Sequence, residues 1–525
     1  MSAYFLVIMT MLVTASISLH YLHMLQLSSY QWVFYKRWMR ESGVKTWIRS
    51  AMPLTAAIAV SLIAHFNVLH VNIAMPVISF LFLLAILSCY SQKQQKKPLR
   101  FTARALRIQL LWIFLVGAIV VALLILLPSI VEHLQPAFAA IIIMLSIIGI
   151  QISNILLKPV QAMINNGYIR DAKKILAERN DMTLIAITGS YGKTSLKHML
   201  HAFLSIEYNT LMTPGSYNTP MGVVRTIREE LNPTHEYFVV EMGARRMGDI
   251  QELCDIVHPH HGVLTAIGPA HLETMGSIEN TAKTKFELPR SLAAGSFSFL
   301  NADDDNIKQQ NLAGLTPIWY GFDECADYRI SDFTSSKDGS TFIVNAPNGE
   351  SQQVSTPLIG RHNVSNIVGA MAVAHKFGVS LGSMARATLS LKQVAHRLEL
   401  KKQADVTIID DAFNSNPVGA AAALETLSMM EGCKILITPG MIELGDEQDE
   451  RNKTLGKQAA AVCDYVILVG EKQTEAVYAG LAEAEYDMNN VWVVNNVYAA
   501  FEKMRAISAK EEKIVLLEND LPDNY

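Results

Sequence analysis

TLIAITGSYGKTSLKHML (183–200) is the stretch on which the reading of the larger part of this chain turns. A short apolar, β-branched run, Thr183 to Thr188, is broken by Gly189, Ser190, Tyr191 and Gly192, and a helical stretch follows. A buried strand that passes through a glycine turn into a helix presents backbone N–H groups to phosphate oxygens, and the helix dipole favours the anion. Lys193 is placed to reach β- and γ-phosphates, and Thr194 to ligate Mg²⁺. The spacing is shorter than in the common phosphate loop, because Ile187 stands where its first glycine falls.

Outward from this segment the same style continues. Runs at 237–243 (YFVVEMG), 261–268 (HGVLTAIG), 406–411 (VTIIDD), 434–440 (KILITPG), 465–470 (YVILVG) and 513–517 (KIVLL) alternate with helical stretches. That alternation predicts parallel sheets covered on both faces. Short runs with Gly, Ser and Asn turns near 323–358 predict an inserted antiparallel patch, and a second α/β unit begins near 396. Residues 158–181 are polar and helical in pattern and read as a connector.

Residues 1–157 are of another kind. Apolar runs near 4–22, 51–69, 73–91, 108–127 and 135–156 each approach the ~20 residues that cross a bilayer as a helix. The first lacks a basic n-region and a small-residue cleavage site, so it reads as an anchor. This part holds 11 Lys/Arg against Glu41 and Glu132, whereas the remainder nets -13. Lys36, Arg37, Arg40, Lys45 and Arg49 follow the first run, and Lys93, Lys96, Lys97, Arg100, Arg104 and Arg107 precede the fourth. The positive-inside rule then puts the N-terminus outside, and everything after about residue 157 in the cytoplasm of a multi-pass inner-membrane protein. The basic loops also suit anionic lipid headgroups. An acidic soluble part excludes a whole-chain nucleic-acid binder, and five scattered cysteines without a CxxC pair exclude a zinc or disulfide scaffold.

Other residues at strand ends are candidates for chemistry. Glu241 closes a buried run and faces the crevice where open α/β sheets bind ligands, as a Mg²⁺ ligand or as a structural hydrogen-bond acceptor. His271 follows the next run, as a metal ligand or a structural histidine. Lys283 and Lys285, on a predicted helix, read by pattern alone as a solvated face.

Taken in order, ITGSYGKTSLK (187–197), TPGSYNTPMGV (213–223), VVEMGARRMGDI (239–250), IGPAHLETMGSIENTAKTKFE (267–287), GRHNVSNIVGAMAVA (360–374), DDAFNSNP (410–417) and MIELGDE (441–447) resemble the Mur ligase family, most closely its MurF branch. The resemblance spans about 182–465, roughly half the chain. It implies a central P-loop ATPase domain over 182–395 and a C-terminal Rossmann-like α/β domain over 396–525, behind an N-terminal α-helical membrane bundle.

It also implies roles. Gly189, Ser190, Tyr191, Gly192, Lys193, Thr194 and Ser195 would cradle the ATP phosphates; Thr194, Glu241, His271 and Lys285 would support Mg²⁺, with Lys285 carbamylated. Asn363 and Asn366 would lie against the adenine, Arg397 on phosphate, and Asp411 on the ribose or at the hinge. Asn218 and Thr219 would approach the acyl donor, and Asn414, Asn416 and Pro417 would shape the amine's site. The implied reaction joins a small-molecule carboxylate to an amino acid or dipeptide through an acyl phosphate, in cell-wall precursor synthesis. Lys193, Lys285 and His271 would stand at the chemistry.

Two departures stand out. The family's N-terminal UDP-binding domain has no counterpart, and five membrane runs take its place, which also suits a lipid-linked substrate. Pro439-Gly440 occupies the place of the usual Gly-Asp before Met441. A capsule-type poly-amino-acid ligase, or one making secondary-metabolite peptides, is the neighbouring reading. A nucleotide-binding membrane scaffold without chemistry is the reading from another class. An ATP-driven transporter would need a Walker-type ATPase signature and polar membrane residues, and neither is evident here.

Overall fold

The computed structural model describes residues 2–65, 71–90, 98–126, 137–403, 406–413 and 415–520. The described residues divide into two compact units, one up to residue 166 and the other over 167–520. The division falls inside one helix, Lys158–Ala177, where the sequence predicts a connector.

The first unit is helical. Its interior joins residues from every long helix, among them Ile17, Leu54, Phe82, Ile108, Trp112 and Ile147. Helices Ser2–Leu27 and Ala103–Leu126 meet through a buried polar contact, Gln109 Nε2 to Ser18 Oγ at 2.7 Å. Gly149 lets helix Ser146–Leu156 lie against the Trp112 ring, since a Cβ there would come within 2.2 Å of it. By length and composition, Val44–Ile63 and Ala103–Leu123 are apolar enough to cross a membrane, and the pair Ala137–Met144 and Ser146–Leu156, bent by 57°, makes up to three. Five apolar runs are expected from the sequence, and among the described residues two or three meet this criterion of length and composition. The runs at 4–22 and 73–91 lie in helices Ser2–Leu27 and Val71–Tyr90, the latter with Pro76 inside it. Lys93, Lys96, Lys97 and Glu132 lie outside the described residues.

One end of this unit gathers chain segments that are distant in sequence. Gln26 exchanges hydrogen bonds with the Arg100 backbone at 2.8 and 2.9 Å. Arg104 donates to Asn154 Oδ1 at 3.3 Å and lies 4.0 Å from the Tyr30 ring centre, and Asn154 Nδ2 donates to Tyr30 O. Arg107 donates to Gln161 Oε1 at 2.8 Å.

The second unit carries two sheets. The larger runs β2 (Thr210–Met212), β3 (Tyr237–Glu241), β1 (Thr183–Thr188), β4 (His261–Leu264), β5 (Ser298–Asn301), β6 (Pro317–Gly321), β7 (Tyr328–Ser336), β8 (Gly339–Asn345) and β9 (Ser351–Thr356). The pairs from β2 to β7 are parallel, and β7, β8 and β9 are antiparallel, the patch expected near 323–358. Parallel strands are covered on both faces, and β1 and β3 are accordingly buried along nearly their whole length. One face packs Ile185 and Ile187 against Leu196, Leu200, Val368 and Met371; the other packs Ala186 and Val240 against Val223 and Leu253.

The smaller sheet runs β10 (Glu399–Gln403), β11 (Val406–Asp411), β15 (Lys513–Glu518), β12 (Cys433–Thr438), β13 (Tyr465–Val469) and β14 (Val491–Val494). All of its pairs are parallel except β10 with β11. This is the Rossmann-like arrangement expected from 396 onward, with one antiparallel edge strand added.

Candidate active site

In the larger sheet β1 and β3 are neighbours, with Ile187 opposite Glu241, so both chains leave the sheet at the same edge. The loop after β1 and the carboxylate at the end of β3 therefore face one crevice. Two glycines make the loop. Gly189 has φ +148°, and a Cβ there would lie 2.0 Å from Thr265 Oγ1. Gly192 has φ +78° just before helix Lys193–Leu204, and a Cβ would lie 2.6 Å from Asn366 Oδ1. Only glycine fits both demands. The segment after β4 clamps the loop from outside: Ser190 N donates to Ala266 O at 2.8 Å, and Gly268 N to Ser190 Oγ at 3.0 Å. Tyr191 lies against Gly268, and Thr265 Oγ1 donates to Tyr191 O.

Lys193 folds back over the loop, donating to Gly189 O at 2.6 Å and Ser190 O at 3.2 Å. Burial lowers its pKa to about 8, against the opposing pull of Glu241. An ammonium held on loop carbonyls is poised to exchange them for phosphate oxygens.

Glu241 is the hub. Thr194 Oγ1 donates to its Oε1 at 3.2 Å and Asn218 Nδ2 at 3.0 Å, while Lys197 Nζ lies 3.0 Å from its Oε2. Burial pushes its pKa up, but Lys197, Lys193 and Asn218 outweigh that and hold it below the usual value. A hydroxyl beside an ionised carboxylate is a hard oxygen donor set of the kind Mg²⁺ takes, together with waters and phosphate oxygens. Lys197 and Glu241 are both fully buried, and removing one partner of such a pair costs about 3–5 kcal/mol. The pattern of the sequence alone left Lys197 unnoticed. The signal was its position one helical turn after Lys193.

Lys285 ends helix Ile278–Lys285 and is 3% exposed, so the solvated face that its sequence pattern suggests is wrong for it. Burial and the nearby Lys193 lower its pKa to about 7, and Asp249 and Glu287 oppose them only in part. Lys283, on the same helix, is exposed.

His271 sits in the left-handed region at φ +55°, and its Nδ1 is 2.6 Å from Glu443 Oε2. Glu443 comes from the loop after β12, so this contact joins the larger-sheet and smaller-sheet domains. With Nδ1 engaged by a carboxylate, Nε2 is the nitrogen that can meet a metal. Among the described residues, the group of three His, Cys, Asp or Glu that lies close enough for a metal is a different one, His396, Glu399 and Asp410. The Lys401 ammonium already sits against both of its carboxylates.

A cavity of about 310 Å³ opens beside the loop, lined by Ser195, His198, Asn363, Leu391 and Arg397 among others. Its size suits a nucleoside. Asn363 is anchored there by Nδ2 to Ile359 O at 2.8 Å, and Asn366 stands against Gly192. Arg397, stacked 4.6 Å from the Phe413 ring centre, is near enough to act electrostatically on Lys193 and Glu241.

Asp411 Oδ1 accepts from Leu398 N at 3.1 Å, which ties it to the segment that enters the smaller-sheet domain. Opposite it in register, Glu518 is fully buried. Desolvation and the adjacent Asp411 raise the Glu518 pKa well above normal. Asn416 caps helix Pro417–Ser428, accepting from Gly419 N at 2.8 Å, so its side-chain oxygen is committed locally. Thr219 caps the helix that begins at Pro220 without a side-chain hydrogen bond. Asn414 lies outside the described residues.

A phosphate loop, an acidic strand end, a buried lysine and a second α/β domain that meets the first through His271 and Glu443 suit an ATP-dependent ligase. The comparisons with known proteins agree. Residues 187–374 match the Mur ligase middle domain, and 396–518 match the Mur ligase glutamate ligase domain. The UDP-N-acetylmuramoyl-tripeptide--D-alanyl-D-alanine ligase of Escherichia coli is 31% identical over 342 residues, 64% of this chain and 73% of that protein. That of Bacillus subtilis is 32% identical over 52% of this chain and 59% of its own length. A MurF crystal structure from Acinetobacter baumannii superposes with TM-score 0.62 at 25% identity, covering 69% of this chain and 78% of the other. MurF from Thermotoga maritima, in complex with ADP, shares the fold with TM-score 0.60.

The chain belongs to the Mur ligase family. It is a MurF-like, ADP-forming amide ligase that uses ATP and Mg²⁺.

Proposed function

We propose that this enzyme joins D-alanyl-D-alanine, or a closely similar amine, to the terminal carboxylate of a muramoyl-peptide precursor at the cytoplasmic face of the membrane. The observation that carries this reading is the convergence of Lys193, Thr194 and Asn218 on one crevice around Glu241, with Lys285 close to Lys193. When bound, ATP supplies the γ-phosphoryl group and Mg²⁺ neutralises its charge. Lys193 would exchange the loop carbonyls for the phosphates. Thr194 and Glu241 would hold one Mg²⁺, and His271 and Lys285 would support a second. Asn218 and Thr219 set the acyl donor's carboxylate beside the phosphoryl group. A carboxylate oxygen attacks the γ-phosphorus and ADP leaves, giving an acyl phosphate; the amine then attacks the acyl carbon, phosphate leaves, and the nitrogen gives up a proton to form the amide. The hinge at Arg397 and Leu398, braced by Asp411, lets the smaller-sheet domain carry the amine in and exclude water.

The helical unit supports an anchor. Arg100, Arg104 and Arg107 gather at the same end of the unit as Tyr30, Asn154 and Gln161, so one face is basic. Under the positive-inside rule that end is cytoplasmic. The anchor holds the site near the bilayer and takes the place of the domain that grips UDP in the family, which favours an acyl donor held at the membrane, lipid-linked or not.

The test uses the detergent-purified full chain with Mg²⁺ATP. ADP release that requires both UDP-muramoyl-tripeptide and D-alanyl-D-alanine supports the reading. Release only with another amine, such as glutamate, moves the enzyme to the capsule-type reading, and ATP binding with no release under any pair supports a scaffold. Glu443→Gln weakens the carboxylate behind His271, and it is expected to raise the Mg²⁺ needed for half-maximal rate about tenfold or more. An unchanged Mg²⁺ requirement places His271 outside the metal site.

A further inference from the structure

Lys197 lies one turn beyond Lys193, and nothing in phosphate binding by the loop requires it. Its ammonium is fully buried between Glu241 Oε2 at 3.0 Å and Gly215 O at 2.5 Å. Gly215 belongs to the 213–219 segment, which also carries Asn218 and Thr219. That segment holds Glu241 at two further points: Glu241 N donates to Thr213 Oγ1 at 3.1 Å, and Asn218 Nδ2 donates to Glu241 Oε1 at 3.0 Å. Thr194, the residue after the phosphate-binding lysine, holds the same oxygen. One carboxylate is thus shared between the nucleotide loop and the acyl-donor segment, and Lys197 supplies the charge that joins them. Buried charge contacts of this kind respond together, because little water is present to absorb a change at either end. A dication arriving at Glu241 draws on the carboxylate and repels the ammonium. The ammonium's other bond is to the Gly215 carbonyl, so the 213–219 backbone feels the arrival.

We propose that Lys197 is a positioning residue that couples Mg²⁺-nucleotide binding at Glu241 to the placement of residues 213–219, and through them to acyl-donor binding. The proposal rests on the reading of Glu241 as a Mg²⁺ ligand.

Hydrogen–deuterium exchange on the detergent-purified full chain, with MgADP as the probe, tests it. In the wild type MgADP is expected to change the exchange rate of the 213–219 amides about tenfold. Lys197→Met is expected to bind MgADP within about threefold of wild type, yet to show the same 213–219 exchange with and without it. Lys197→Arg, which keeps the charge, is expected to restore the response. In turnover, Lys197→Met is expected to raise the acyl-donor KM about tenfold with the ATP KM little changed, a split that a general loss of stability does not produce. If the Met variant does not fold, Lys197→Gln, which keeps a donor for Gly215 but drops the charge, is judged by the same criteria. A segment that responds to MgADP as strongly without the Lys197 charge overturns the proposal, as does a wild type that binds MgADP with no change at 213–219. A wild type that does not bind MgADP fails earlier, at the reading of the nucleotide site itself.

Discussion

Lys193→Ala is expected to lower ADP formation by about a thousandfold or more, while the protein stays folded. Lys193 makes its hydrogen bonds to Gly189 O and Ser190 O, which are neutral carbonyls, and Glu241 keeps its ion pair with Lys197. Losing the side chain therefore leaves no buried charge unpaired. What is lost is a cation at the place where phosphoryl charge develops, in a site dry enough to lower the lysine's pKa to about 8. A stabilising charge in such surroundings is worth far more than in water. The check is steady-state ADP release together with a thermal melt. A variant with more than a tenth of wild-type rate, at wild-type stability, contradicts the assignment.

The second large effect concerns Lys285. Carbamylation requires the neutral amine: its nitrogen attacks the carbon of CO₂, one proton leaves, and an anionic N-carboxylate results. With a pKa lowered to about 7, the amine is largely neutral above that pH and protonated below it. The sign follows. At low bicarbonate, activity is expected to fall as pH drops through about 7, and above that pH, where the amine is neutral, added bicarbonate is expected to raise it. Lys285→Ala removes both the carboxylate and the bicarbonate response, with an expected loss of about a hundredfold or more. Bicarbonate-independent activity in the wild type, with full activity in Lys285→Ala, contradicts the assignment. Burial alone accounts for how the residue changes from a surface lysine to this one. Helix Ile278–Lys285 turns Thr281, Ala282, Thr284 and Lys285 inward, a face that the alternation of lysines and threonines does not reveal.

Strands β1, β3, β4, β11, β12, β13 and β15 were legible because each is a β-branched run ended by a glycine or an acid. β10 was not. Glu399-Leu-Lys-Lys-Gln403 is a charged edge strand, and it forms only because β11 offers it antiparallel hydrogen bonds. β2 and β5, of three and four residues, are too short to carry a period. The phosphate loop and Glu241 could be read locally, since a strand, a turn and a helix fix them. The partner of His271 could not, because Glu443 lies 172 residues away in another domain. The Glu518 contact with Ser415 has the same cause: β15 reaches β11 only through the order of strands in the sheet. In the helical unit, hydropathy located the helices, but not the 57° bend between Ala137–Met144 and Ser146–Leu156 inside the last apolar run.

The central claim is amide ligation through an acyl phosphate, and following oxygen through the reaction tests it most directly. UDP-muramoyl-tripeptide labelled with ¹⁸O in its terminal carboxylate is turned over with Mg²⁺ATP and D-alanyl-D-alanine by the full-length protein. The carboxylate oxygen that attacks the γ-phosphorus must leave with it when the amine displaces phosphate. The account predicts one ¹⁸O in inorganic phosphate for each amide formed, and none in ADP. Amide formation with unlabelled phosphate, or phosphate whose new oxygen comes from water, contradicts it.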